Sequence, residues 1–200
     1  MAAIFQSLGK TIFAGIVILV ALMLIASGMG DAGGISHAWG VFFMRWLHVL
    51  SGVMWIGLLW YFNFVQIPSM PKIPDEQKPA IGKVIAPAAL WWFRYGALAT
   101  VITGVLLAWG NGYLVNALSF GQGQLAIGIG MWMAIIMAAN VWFIIWPNQK
   151  KALGIVSVEG DQKAAAAKTA MMASRFNTML SIPMLYMMVA QQNGGGALLW

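Results

Sequence analysis

Five apolar runs, each long enough to cross a bilayer, decide most of what this chain can fold into. They lie at about Thr11–Ser27, Trp39–Ile67, Ala86–Trp109, Leu125–Trp146 and Arg175–Gln191, and a transmembrane helix needs roughly 17–25 such residues. In hydrocarbon every backbone N–H and C=O must be satisfied inside the segment, so the runs predict helices. The expected fold is an all-α integral membrane protein, a five-transmembrane-helix bundle forming a single domain over residues 1–200. Composition agrees: 61% of residues are hydrophobic, 8% are charged, and sixteen charged side chains cannot cover a soluble fold of 200 residues. The last run contains Pro183, which predicts a kink. The Ala-rich stretch before it, opening at Asp161 as a candidate N-cap, is a candidate extension of the same helix.

Lysine and arginine give a topology. Lys10 precedes the first run, Lys72, Lys78 and Lys83 separate the second from the third, and Lys150, Lys151, Lys163, Lys168 and Arg175 separate the fourth from the fifth. These nine fall on one side and none on the other. By the positive-inside rule the N-terminus is cytoplasmic and the GGGALLW tail is outside, in a multi-pass protein of a bacterial inner membrane. The first run is read as a retained span rather than a cleaved leader. The net charge of +6 is topology, too scattered to indicate nucleic acid.

Several chemistries are excluded. The chain has no cysteine, which removes disulfides, thiolate metal sites, iron–sulfur clusters and covalent haem attachment. It has no P-loop, HExxH or GxSxG motif, and all five acidic residues fall in loops, which argues against a proton-coupled transporter.

Helices in lipid associate through small residues and polar contacts. Gly96, Thr100, Gly104 and Ala108 repeat every four residues on the third run, and Ala126, Gly130, Ala134 and Ala138 do so on the fourth. These lines are expected to pack within the chain or against a partner. The methionines around the last run read as adaptable packing, with one of them as a soft axial ligand in the alternative reading.

Ionisable groups inside a span are functional candidates. Arg45 and His48 lie one turn apart on the second run, with His48 roughly 13 Å below its outer end. Gly52 follows one turn later. Imidazole for iron, a missing side chain for a flat macrocycle and a guanidinium for a propionate together suit an outer-side b-type haem, with His48 as the metal ligand. The plainer reading is a neutral His48 hydrogen-bonded to another helix and a snorkelling Arg45. His37 reads as an exposed residue of the outer loop. Arg94 follows Trp91, Trp92 and Phe93, so cation–π contact or snorkelling explains it. Asn63, Arg94, Asn140 and Asn177 form a candidate polar cluster near the inner ends.

The segments Arg45–Pro68, Leu90–Trp109, Val141–Leu153 and Ser174–Ala190 resemble the membrane domain of bacterial cytochrome-linked urate oxidases, the second and fourth most specifically. The resemblance implies a shared fold, with the family's second-span histidine at His48. Arg94, Pro147, Asn148, Gln149, Asn177 and Pro183 also match. Full-type members carry a C-terminal cytochrome c domain and are assigned urate oxidation with electrons passed to its haem. A chain without cysteine is expected to be a short form lacking that domain. The resemblance also implies histidines where this chain has Trp91 and Phe176.

The expected function is an accessory or electron-transfer membrane subunit, not catalytic alone. Its expected partners are membrane lipid and a larger respiratory or photosynthetic redox complex, or further copies of itself. The alternatives are a single-haem b cytochrome using His48, and urate oxidation or transport of a small solute.

Overall fold

The computed structural model describes residues 2–28 and 36–193, and among these every regular element is helical. The GGGALLW tail lies outside the described residues, apart from the topology argument. The chain divides into two compact units, Met1–Gly40 and Val41–Trp200.

The first unit holds a short helix α1 (Ala2–Phe5) and the long α2 (Leu8–Gly28). The Thr11 hydroxyl donates to the carbonyls of Ile4 and Ser7 and closes the junction. Ile12, Phe13, Ile16, Val17, Ile18, Leu22 and Leu24 are all exposed. A helix apolar all round has no water-facing side, which is the pattern of a lipid-facing span.

The second unit is built on α3 (His37–Lys72, whose first residues lie at the boundary), α4 (Lys78–Gly110), α6 (Leu125–Ala152) and α7 (Gly160–Ala190), with a short α5 (Leu114–Leu118) between α4 and α6. Among the described residues four helices are long and apolar enough to cross a membrane: Leu8–Ala26, α3, α4 and α6. The fifth run lies in α7, continuous from Gly160, whose polar first half dilutes its apolarity. Asp161 is not the N-cap. Glu159 is the extended residue before the helix, and Asp161 sits in the first turn, where its carboxylate accepts from the Gln162 N–H and favours the positive helix end.

Three of the long helices widen into a π-turn, at Tyr61–Gln66, Ile81–Ile85 and Val141–Ile145. Each is followed two residues later by a proline: Pro68, Pro87 and Pro147. A helical proline has no N–H to donate, and its ring collides with the carbonyl four residues back. In all three cases the residue just before the proline bonds five residues back instead: Ile67 N–H to Phe62, Ala86 N–H to Ile81 and Trp146 N–H to Val141. The wider turn takes up the collision without ending the helix.

The core of this unit sits where α3, α4, α6 and α7 meet. Trp55, Leu59, Phe93, Ala97, Met137, Val141 and Ile145 are essentially fully buried there. Phe62 and Phe93 meet edge to face at 5.8 Å.

Candidate functional site

The small residues of α4 receive α3. A Cβ on Gly96 would stand 3.3 Å from the Trp55 backbone nitrogen, so the two backbones nearly touch there. Two turns on, the gap at Gly104 is occupied by the His48 ring: a Cβ there would lie 2.8 Å from His48 Cε1. Gly130 on α6 meets Met187 and Met188 of α7 at 3.3–3.4 Å in the same sense. Ala126 and Ala134 of that line are buried. Gly52 is looser, its nearest neighbour being Thr100 Cγ2 at 3.9 Å.

His48 Nδ1 lies 2.9 Å from the Thr100 carbonyl oxygen, with the Thr103 hydroxyl at 3.4 Å. A carbonyl only accepts, so Nδ1 carries the proton and Nε2 keeps its lone pair. Thr103 is held in turn by donating to the Ala99 carbonyl at 2.6 Å.

His48 lines a cleft of about 510 Å³ between α3, α4, α6 and α7, within the ~300–1,000 Å³ of small-molecule and cofactor sites. Its walls are largely aliphatic. Arg45 and Tyr113 lie on its border with Gly52, and Met131, Met184 and Met188 bring three thioethers to it from the facing helices. Burial pushes the Tyr113 phenol up, and the positive Arg45 draws it partly back.

Deeper in the bundle a row of polar side chains ties α7 to its neighbours. Trp60 Nε1 donates to Ser181 Oγ at 2.9 Å, and Asn63 Nδ2 to Ser174 Oγ at 2.8 Å. Asn140 Nδ2 donates to Asn177 Oδ1 at 2.7 Å, and Asn177 Nδ2 to the Met137 carbonyl at 2.9 Å. Three of the four residues expected as a cluster therefore bond into one seam. The fourth, Arg94, does not join it: its guanidinium carbon lies 3.3 Å from the centroid of the Trp146 ring. Trp91 and Trp92, offered as its aromatic partners, are half exposed, and Trp91 packs on Trp92 and Tyr95 instead. His37 opens α3 and is exposed.

Ser174, Asn177 and Ser181 fall at i, i+3 and i+7, a one-face spacing that was legible in the sequence. The role of the Thr100 carbonyl was not, since a backbone acceptor leaves no mark in residue type.

The matched stretch runs through Tyr113, α5, α6, α7 and the Asn140–Asn177 pair. Residues 113–194 match the family model of the urate oxidase N-terminal domain. Over this stretch, which is less than half of the chain, the protein is similar to a urate oxidase N-terminal domain. No curated protein and no solved structure matches the chain. The matched stretch supplies the methionine side of the cavity, whereas His48, Arg45 and Arg94 precede it. Trp91 and Phe176, which stand where the resemblance implies histidines, are 47% and 44% exposed. Neither lines the cavity.

Proposed function

We propose that the protein is an electron-transfer subunit of a bacterial inner-membrane redox system, with one b-type haem in the His48 cavity. The observation that carries this is the His48–Thr100 bond. Histidines that ligate metals characteristically donate their second ring N–H to a carbonyl or carboxylate, which fixes the tautomer and raises the basicity of the ligating nitrogen. The Nδ1–H donor to Thr100 leaves Nε2 as that nitrogen.

The other residues fit the same group. Gly52 clears a face of the cavity, Arg45 offers a guanidinium to a propionate, and Met131, Met184 and Met188 are candidate thioether ligands. When bound, a b haem supplies a reversible one-electron carrier. This chain's part is to hold the iron ligand's proton on Nδ1, to exclude water with aliphatic walls, and to place a positive charge at the cavity's border.

The distribution of lysine and arginine supports a cytoplasmic N-terminus, and the length of α7 supports a fifth span. A larger membrane redox complex is the proposed partner, since a one-electron carrier needs both a donor and an acceptor. Urate oxidation by this chain alone is disfavoured, because Trp91 and Phe176 replace the two histidines that the resemblance implies.

The test is a reduced-minus-oxidised visible spectrum of the mildly solubilised protein, with a pyridine haemochrome assay. One haem b per chain is the expected result. A colourless protein, under conditions that preserve a known b cytochrome, overturns the proposal and leaves a haem-free accessory subunit.

A further inference from the structure

A second site is built where Arg94 of α4 meets Trp146 of α6, before the Thr100–Gly104 stretch of α4 that receives His48. Arg94 is only 8% exposed, yet its Nε and Nη1 have no hydrogen-bond acceptor. Its contact is the Trp146 ring, and Lys150 Nζ lies over the same ring at 5.6 Å. Trp142, one turn before Trp146 on α6, has a buried Nε1–H that also lacks an acceptor. Among the described residues the ion pair is Lys78–Asp75, so no carboxylate neutralises either cation.

Two cations therefore share the Trp146 ring, and three buried donor nitrogens, two on Arg94 and one on Trp142, lack an acceptor. Cation–π attraction offsets only a small part of what burying an unpaired guanidinium costs. The missing partner is an anion with several acceptor oxygens, which a guanidinium and an ammonium bind through short, charge-assisted bonds. We propose that Arg94, Trp142, Trp146 and Lys150 form a binding site for a phosphate oxyanion, carried on a lipid headgroup or free in solution. Arg94 lies midway along α4, and Lys150 lies near the C-terminal end of α6. The site is independent of whether His48 binds haem.

The test uses the full chain in phosphatidylcholine bicelles, titrated either with phosphatidylglycerol or with inorganic phosphate at constant ionic strength. Melting temperature is the readout. Wild type is expected to rise with at least one of the two. In Lys150→Gln the apparent affinity should fall about tenfold, the loss of one charge-assisted bond, and in Arg94→Gln the rise should vanish. A response to phosphatidylglycerol alone assigns the lipid source, and a response to inorganic phosphate assigns the free ion. If Arg94→Gln does not fold, Lys150→Gln and Trp142→Phe carry the comparison. No rise with either ligand, or an equal rise in the variants, overturns the proposal.

Discussion

His48 and Gly104 are fitted to each other: the imidazole of one occupies the side-chain space that the other lacks, 2.8 Å from where a Cβ would be. The ring's bond to the Thr100 carbonyl, one turn earlier on α4, depends on that fit. Gly104→Val should therefore push the ring out and cost about 1–3 kcal/mol by overpacking. Thermal melting measures the cost, and the haemochrome assay should show loss of the cofactor. Undiminished haem in a folded Gly104→Val protein would contradict the assignment of His48.

Gly52 makes the complementary case. A Cβ there meets nothing closer than 3.9 Å, so Gly52→Ala should melt within about 0.5 kcal/mol of wild type. Gly52→Leu would fill the cavity and should lower haem content while leaving the helical circular dichroism intact. Equal haem in wild type and Gly52→Leu would mean that the group lies elsewhere.

The Asn140–Asn177 bond should be measurable as a coupling. Asn177 is fully buried and uses both ends of its amide. Asn177→Leu removes one of the two bonds of the Asn140 Nδ2, which also donates to the Ala173 carbonyl, and should cost about 1–3 kcal/mol. A double-mutant cycle with Asn140→Ala should give a coupling of roughly 0.5–2 kcal/mol. A coupling near zero would show that the seam is not what joins α6 to α7.

Tyr113 predicts an alkaline limit. Its phenol is pushed up by burial, so above the ordinary pKa of about 10 the unfolded chain releases this proton while the folded one keeps it. The stabilisation is complete below that pH and lost as pH rises through the folded value. Melting temperature should drop more steeply at high pH in wild type than in Tyr113→Phe. Parallel curves would mean that the phenol is not shielded.

How much of this could be read in advance differs from element to element. Apolar length alone gave the helices over α2, α3, α4 and α6, because lipid permits no other backbone solution for such runs. The small-residue lines gave candidate contact faces, and the asparagines a candidate cluster. Yet Arg94 left its sequence neighbours for Trp146, fifty-two positions further along the chain, since partners across helices are chosen by packing. The three π-turns had a cue in Pro68, Pro87 and Pro147, but only the folded backbone shows that a wider turn, rather than a break, absorbs each ring.

The sequence by itself determined that this is a helical protein with segments long and apolar enough to span a membrane, and where its few polar groups lie along them. The reason is the solvent: a run of apolar residues in hydrocarbon has its backbone bonds fixed locally, whatever surrounds it. The tertiary structure decided which polar groups meet. It set His48 against Gly104 and the Thr100 carbonyl, brought three methionines to the same cavity, and left the Arg94 and Trp142 donors without an acceptor. Those relationships depend on helix rotation and crossing, which side-chain packing sets and no single helix contains.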